Sequence, residues 1–246
     1  MGSTDSFAPA RGCMEFGTLA ALHPGRIDLG LGRAPGGDRA TFHALRRDPS
    51  ASDDFPQDVA ELQAYLKGEA VNGVRAMPGA GSRVPLYILG SSLFGAQLAA
   101  RMGLTYGFAS HFASDQLKAA VALYRGAFRP SAQLDRPHVI AGVNVIVGDT
   151  EAEARAQLTR AQRMRASVLI GGGRTLSDAE ADQILAAPQG RFLADMMRYT
   201  AVGTPEVVRT YLQDFARHAD ADELMLALSG PTLGLRLRAL DVVAEG

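Results

Sequence analysis

The sequence predicts an α/β fold built on a parallel sheet. Short β-rich runs alternate along its 246 residues with Ala-rich amphipathic segments of helical period. The longest run, residues 138–147, is almost wholly apolar, as in strands buried on both faces of a parallel sheet. Helix start signals follow several runs directly. Five such strand–helix units leave two architectures open, an open doubly wound sheet or part of an eight-unit barrel.

The elements can be placed in order from these signals. Gly103 ends the helix after the second strand, Ser114 is the expected N-cap of the next helix, and Pro205 opens a later one. Two stretches, residues 47–56 and 171–190, lack a period and are expected to be irregular loops. The predicted strands are residues 26–32, 84–89, 106–109, 138–147 and 222–228. The predicted helices are residues 56–66, 92–102, 114–128, 151–169, 205–218 and 231–245.

Composition and charge exclude several classes of protein. Hydrophobic residues make up 47% of the chain and charged residues 21%, which are ordinary globular values. The 25 basic and 26 acidic residues give a net charge of −1, without the basic excess of a nucleic-acid-binding protein. No apolar run reaches the ~18 residues of a membrane span, and residues 1–16 do not resemble a secretory signal. With one cysteine, Cys13, the chain has no internal disulfide, which favours a cytoplasmic protein.

The first candidate site lies where the first predicted strand ends, at Gly30-Leu31-Gly32-Arg33. The pattern is not the dinucleotide fingerprint, because the next glycine, Gly36, comes one residue too late. One interpretation is a small-residue strand end followed by a turn. The other is a strand end that lets a ligand come close, with Arg33 binding an anion at the face where such folds place their sites.

The second candidate site is Gly90-Ser91-Ser92, between the second predicted strand and its helix. Two hydroxyls and the free N–H groups of a helix N-terminus suit a phosphate. Plain N-capping by one serine is the alternative. If consecutive strands are neighbours in a barrel, Arg33 and this loop could contact the same phosphate.

Among the histidines, His111 is the one expected in a cleft, because it follows a predicted strand end. It is a weak candidate for a general base. No pair of histidines has the spacing of a zinc site, so no metal is expected.

Four segments together resemble the luciferase-like flavin-dependent monooxygenases. They are FGTLAALHPGRIDLGLGRAPG (16–36), VPLYILGSSLFGAQLAARMGLTYGFASHF (84–112), FRPSAQLDRPHVIAGVNVIVGDTEAEA (128–154) and VGTPEVVR (202–209). The segments occur in the family's order and cover the chain from about residue 14 onward. The resemblance implies a (β/α)8 barrel that holds reduced FMN, or a deazaflavin in some branches, at the carboxyl ends of its strands.

The resemblance also implies roles for particular residues. Arg33 matches the arginine that holds the flavin phosphate, and the loop after the second strand matches the one that cradles the same phosphate. The residues implied in that loop are Gly90, Ser91, Ser92, Leu93 and Phe94.

The sequence departs from the family at its start. Residues 1–13 form a segment without strand pattern where the family has its first three strands, and residues 14–246 form a truncated barrel domain with about five strands. Either a partner covers the gap, or the N-terminal segment is repurposed, or the chain is a fragment. A barrel lacking strands would expose sheet edges and apolar interior.

Three functional hypotheses follow from the resemblance. The first is an oxidoreductase that uses reduced FMN, supplied by a flavin reductase, and dioxygen to oxygenate a small organic substrate, either alone or as a homodimer. The second is a non-catalytic flavin-binding or partner protein. The third is an inactive fragment. The protein supplies binding, orientation and exclusion of water, while the cofactor supplies the chemistry.

Overall fold

The computed structural model describes residues 9–33 and 53–244, apart from the side chain of Gln189. Several predicted features therefore lie outside the described residues. They are the end of the glycine-rich turn at residues 34–36, most of the loop 47–56, and residues 1–8 of the predicted N-terminal segment.

Strands and helices alternate along the described chain. The strands are β1 (Leu29–Gly32), β2 (Leu86–Gly90), β3 (Thr105–Phe108), β4 (Val139–Val147), β5 (Thr200–Gly203) and β6 (Glu223–Leu228). The helices are α1 (Pro9–Leu22), α2 (Phe55–Lys67), α3 (Leu93–Met102), α4 (Leu117–Ala127), α5 (Glu151–Ile170), α6 (Asp178–Ala186), α7 (Pro188–Met196), α8 (Pro205–Ala219) and α9 (Leu233–Ala244).

The structure adds elements that the sequence analysis did not predict. The five expected strands are present, and β5 is a sixth whose four residues are too few to show a period. The expectation of an irregular stretch over residues 171–190 is wrong, because α6 and the start of α7 lie there. Ser177 and Glu180 form a capping box at the start of α6, and Pro188 opens α7. Both are helix start signals that the sequence displays.

The expected N-cap role of Ser114 is also wrong. Helix α4 begins at Leu117, and Ser114 is buried before it, with its hydroxyl donating to the carbonyl of Asp195 at 3.1 Å. The local pattern predicted that the Ser114 hydroxyl would cap this helix, but the hydroxyl instead forms a hydrogen bond with a residue distant along the chain.

The described chain divides into two compact units, each with its own interior. The first contains the residues up to 90 together with 94–106 and 124–137, and the second contains 91–93, 107–123 and everything from 138 onward. Strand β3 and helix α4 are each divided between the two units.

In the first unit, β1 and β2 pair in parallel, from Leu29 opposite Leu86 to Gly32 opposite Leu89. A Cβ atom on Gly30 would lie 2.7 Å from Cδ1 of Leu89. Because glycine has no Cβ atom, the Leu89 side chain can pack over β1 at this point. Tyr124 is fully buried, and its hydroxyl donates to the carbonyl of Leu104 at 2.8 Å. The buried Tyr124 hydroxyl therefore has a hydrogen-bond partner inside the first unit.

In the second unit, β4 is the central strand. All nine of its residues are buried, as its continuous apolar run predicts. Both Asn144 and Val145 pair in parallel with β5 and with β6, so these two strands lie on opposite sides of β4. Helix α5 is tied to β4 by the amide of Gln157, which donates to the carbonyl of Val147 at 2.9 Å.

The insertion α6–α7 is held against α5 by packing and by charge. Leu193, Ala166 and Ala181 form a buried apolar cluster. Arg163 on α5 binds Asp182 at 2.6 Å and Asp178 at 2.5 Å. This fork geometry fixes the position of α6 along α5.

The described residues contain neither a candidate membrane span nor a candidate metal site. None of the helices over 9–33 and 53–244 combines the length and apolar character that spanning a bilayer requires. Within those ranges, no three His, Cys, Asp or Glu side chains are grouped so as to hold a metal ion.

Candidate functional site

Arg33 lies on an aromatic ring at the carboxyl end of β1. Its guanidinium carbon is 4.2 Å from the centroid of the Phe94 ring. The parallel register pairs Gly32 with Leu89, so the next residues along, Arg33 and Gly90, follow at the same end of the strand pair. Stacking on Phe94 orients the guanidinium plane, and a guanidinium stacked in this way can still donate hydrogen bonds within its plane. Among the described residues, no carboxylate forms an ion pair with Arg33.

The first turn of α3, which carries Phe94, packs against the end of β2. A Cβ atom on Gly95 would lie 3.4 Å from the Tyr106 ring, 3.8 Å from the Ile88 side chain and 3.9 Å from Cα of Gly90. These are ordinary van der Waals distances, so the packing here would accept a methyl group as well as glycine.

Ser91, Ser92 and Leu93 belong to the second unit and lead into α3. The backbone N–H of Leu93 donates to Oε1 of Gln116 at 3.3 Å. One of the orphan N–H groups of the α3 N-terminus is therefore satisfied by a side chain that the sequence analysis did not single out. Ser91 and Ser92 are half-buried.

Ser91 also faces a small cavity of about 270 Å³ in the second unit. Asp115 and Asp195 line the same cavity, and Arg198 pairs with both carboxylates, at 3.5 and 2.7 Å. The arginine offsets the negative charge that would otherwise oppose an anion beside Ser91.

His111 lies just after β3, as predicted, and its ring rests against β4. A Cβ atom on Gly142 would come within 2.3 Å of Nδ1 of His111, so this position of the ring requires glycine. The hydroxyl of Ser110 donates to the carbonyl of Gly142 at 2.5 Å. The ring of Phe112 meets the imidazole edge-on at 4.8 Å. His111 is thus fixed in orientation by its neighbours.

A buried polar network that the sequence analysis missed supports this segment. Nδ2 of Asn144, fully buried in β4, donates to the carbonyl of His111 at 2.6 Å. Oδ1 of Asn144 accepts from the Ser229 hydroxyl at 2.9 Å. An asparagine inside an otherwise apolar strand was the available signal, because a buried amide must find partners.

His111 lines a cavity of about 430 Å³ in the second unit. The walls come from the segment after β3, from α5, from the junction of α7 with β5, from the residues after β6, and from α9. Most of the lining is apolar, including Met164, Met196 and Met197. Methionine side chains adapt to ligands of irregular shape. The cavity is within the range of about 300–1,000 Å³ typical of small-molecule sites.

Burial decides the charge state of the cavity's basic groups. Burial lowers the pKa of His111 below its usual value, and the positive charge of Arg165 lowers it further. The imidazole is therefore neutral at pH 7. Burial also lowers the pKa of Arg165, but guanidinium is so strongly basic that it keeps its charge.

Comparison with known proteins defines the family. The sequence model described as "Luciferase-like monooxygenase" matches residues 4–222. A luciferase-like monooxygenase of Escherichia coli strain K12 is 43% identical over 216 residues, which are 86% of this chain and 64% of that protein. The protein YvbT of Bacillus subtilis strain 168 is 40% identical over 235 residues, covering 94% of this chain and 70% of YvbT. The chain belongs to the luciferase-like monooxygenase family and spans about two thirds of the length of these relatives.

Solved structures confirm the fold class. The crystal structure of apo-MsnO8 superposes with a TM-score of 0.81 at 32% identity, covering 97% of this chain and 72% of MsnO8. The predicted partial luciferase-like (β/α)8 barrel is therefore confirmed. Two more distant structures share the fold alone. They are a Pseudomonas putida type II Baeyer–Villiger monooxygenase in complex with FMN (TM-score 0.64, 13% identity, 96% of this chain and 75% of that one) and an F420-dependent secondary alcohol dehydrogenase (0.66, 15%, 94% and 73%).

Proposed function

We propose that this protein binds a reduced flavin through its phosphate and, with dioxygen, oxygenates a small organic substrate. The observation that carries the proposal is the Arg33 guanidinium stacked on Phe94 at the shared carboxyl end of β1 and β2. A guanidinium held in place by a ring, without a carboxylate partner among the described residues, is suited to a phosphate. Family membership supports flavin as the molecule that carries this phosphate.

Each residue at the end of β1 and β2 has a different proposed role in binding the phosphate. Arg33 donates to the phosphate, and Phe94 keeps the guanidinium plane in position. Gly90 gives close access to the backbone at the end of β2. In the resemblance-based assignment, the hydroxyls of Ser91 and Ser92 also bind the phosphate. Leu93 follows in the same loop, but its backbone N–H donates to Gln116. A bound reduced flavin would supply the electrons that activate dioxygen, while the protein orients the substrate and excludes water.

The cofactor is proposed to be FMN, with a deazaflavin as the alternative. Structures of the same fold include one in complex with FMN and one described as F420-dependent, so the fold accommodates both kinds of cofactor. With FMN, we propose that a flavin reductase supplies the reduced form. We also propose a homodimer as the assembly.

The test is an anaerobic titration of the purified chain with reduced FMN, then with oxidised FMN, and in parallel with the deazaflavin F420. Arg33→Ala should weaken FMN binding by about 1.5–3 kcal/mol, because it removes a charge-assisted contact. Arg26→Ala is the matched control, since Arg26 is an exposed arginine that precedes the opposite, amino end of β1. The control variant should bind FMN as the unaltered protein does.

The outcomes separate the functional hypotheses. Equal FMN affinity in the Arg33→Ala variant and the unaltered protein would refute the phosphate assignment. FMN binding without substrate-dependent oxygen uptake, in the presence of a flavin reductase, would favour a non-catalytic flavin-binding protein. Tighter binding of F420 than of FMN would assign the alternative cofactor.

A further inference from the structure

The imidazole ring of His111 directs one of its two nitrogens into β4. A Cβ atom on Gly142 would lie 2.3 Å from Nδ1 and 3.3 Å from each of Cγ and Cε1, the two ring atoms bonded to Nδ1. Nδ1 therefore points at the Cα hydrogen of Gly142 that a Cβ atom would replace. It is enclosed there, without a hydrogen-bond partner in the described part of the chain.

This contact with Gly142 favours one position for the imidazole proton. A neutral imidazole carries a hydrogen on every ring atom except Cγ and one nitrogen. A hydrogen on Nδ1 would collide with the Cα hydrogen of Gly142, and the hydrogen on Cδ2 would do so if the ring were flipped. A bare Nδ1 lone pair fits, because it faces a weakly positive Cα hydrogen. The contact thus favours the tautomer that has its proton on Nε2.

The opposite edge of the ring faces the cavity. His111 is half-buried and lines the cavity of about 430 Å³, although its Nδ1 is enclosed. Nε2 lies across the ring from the contact with Gly142 and is not enclosed in the same way. The nitrogen that a bound molecule can reach is therefore the one for which the contact favours a proton.

Hydrogen bonds hold the segment around His111 in place. The hydroxyl of Ser110 donates to the carbonyl of Gly142 at 2.5 Å, and Nδ2 of Asn144 donates to the carbonyl of His111 at 2.6 Å. Both bonds tie this segment to β4, so Ser110 and Asn144 are positioning residues for the ring. A donor that is already held in place loses little conformational entropy when a ligand binds.

We infer that His111 is a hydrogen-bond donor of this cavity: it is neutral, carries its proton on Nε2, and donates that N–H to an oxygen atom of the bound molecule. The inference goes beyond the proposed function, because it assigns the cavity a binding residue and the atom that this residue uses. It does not depend on the flavin phosphate, since neither Arg33 nor Phe94 lines this cavity. With the proton on Nδ1 instead, Nε2 would present a lone pair, and His111 would be placed to act as a base.

NMR spectroscopy of the full chain, with nitrogen-15 in its histidine rings, tests the tautomer. The chemical shift of each ring nitrogen shows whether it carries a proton, and the signals lost in the His111→Gln variant identify those of His111. At neutral pH, Nε2 of His111 should be protonated and Nδ1 should not. A proton on Nδ1, or on both nitrogens, would overturn the inference.

Calorimetric titration with two probes tests the donor role. Acetophenone has a carbonyl oxygen, and α-methylstyrene has a CH2 group in its place. The side-chain amide of His111→Gln can reach the position of Nε2, whereas that of His111→Asn reaches only the position of Nδ1. Acetophenone should bind the His111→Asn variant about three- to tenfold more weakly than the unaltered protein or the His111→Gln variant, because one hydrogen bond is lost.

The hydrocarbon probe is the control for this titration. α-Methylstyrene should bind the unaltered protein and both variants alike, which also shows that the cavity is intact in each. Equal losses of affinity for both probes in the His111→Asn variant, or an unaltered protein that does not bind acetophenone, would overturn the donor role. Both experiments are made without flavin, so their results are independent of whether the proposed flavin site is confirmed.

Discussion

His111 is a histidine whose surroundings favour its neutral form. Its ring is pressed against Gly142, and its carbonyl is held by Asn144. Arg165 lies close enough for its charge to matter, and burial together with that charge lowers the pKa of His111. A neutral imidazole in a cavity can accept or donate a proton, which keeps the weak prediction of a general base open.

The lowered pKa of His111 predicts how stability depends on pH. The unfolded chain takes up a proton on His111 below about pH 6.5, while the folded chain resists it until a lower pH. The free energy of unfolding should therefore fall as the pH drops below 6.5, and this loss should level off below the folded-state pKa. His111→Gln should lose less stability than the unaltered protein over that range in urea denaturation.

His23→Gln is the control for this pH experiment. His23 is exposed just after α1 and does not line the cavity, so its replacement repeats the same change of side chain away from the surroundings of His111. Parallel pH profiles for the His111→Gln variant and the unaltered protein would show that the His111 ring titrates normally.

At the scale of elements, two glycines set the approach of α1 to the rest of the first unit. A Cβ atom on Gly17 would lie 2.1 Å from Cα of Gly79, and one on Gly79 would lie 1.9 Å from the carbonyl oxygen of Cys13. Backbone meets backbone here, so no side chain can rotate away to make room. Helix α1, which the sequence analysis left without a predicted element, is thus docked by direct backbone contact.

Gly17→Ala should lower the free energy of unfolding by about 1–3 kcal/mol, the usual cost of overpacking. Gly126→Ala is the matched control, because Gly126 also lies in a helix, α4, but a Cβ atom there would meet nothing within 4 Å. That variant should gain about 0.5–1 kcal/mol from helix propensity. Urea denaturation of both variants measures the contrast, and a Gly17→Ala variant as stable as Gly126→Ala would contradict the close packing of α1.

At the scale of the whole molecule, an apolar stripe on α9 is open to solvent. Leu233, Leu237 and Leu240 follow helical spacing on one face and are 62%, 51% and 47% exposed. Met225 on β6 is also exposed, at 57%. Contiguous apolar surface of this kind favours association over solvation.

We expect the chain to self-associate with increasing concentration through this stripe. Leu237→Lys should raise the dissociation constant of the assembly by about tenfold or more, because it replaces a leucine that association would bury. Leu22→Lys, at the exposed end of α1, is the control and should leave the association unchanged. Sedimentation velocity over a range of concentrations measures the effect. A monomer at every concentration would rule out association through α9.

Much of the architecture could be predicted because it depends on local pattern. The wholly apolar run of β4 and Pro205 at the start of α8 both form as the sequence indicates. The elements that the sequence analysis failed to predict can also be explained by local sequence. The four-residue strand β5 is too short to show a period. Helix α6, in contrast, begins with the capping box of Ser177, which is a start signal visible in the sequence.

The candidate site was predictable in part. Arg33 is singled out both by its position at a strand end and by the family resemblance, and the structure adds its contact with Phe94. Its role in binding a phosphate stays a prediction. The cradle of Gly90, Ser91, Ser92 and Leu93 stays a prediction, as does the boundary placed at residue 13. Asn144 and Ser229 were missed because their importance depends on a partner distant along the chain.

The sequence by itself determined the order of five of the described strands and six of the described helices, the family, and the strand ends at which to seek a ligand. These follow from side-chain periodicity, capping residues and short motifs, all of which act over a few residues. The tertiary structure decided that His111 rests on Gly142 and that His111 and Arg165 share one cavity. Such contacts join residues tens of positions apart. They depend on how helices and strands pack, which no local pattern specifies.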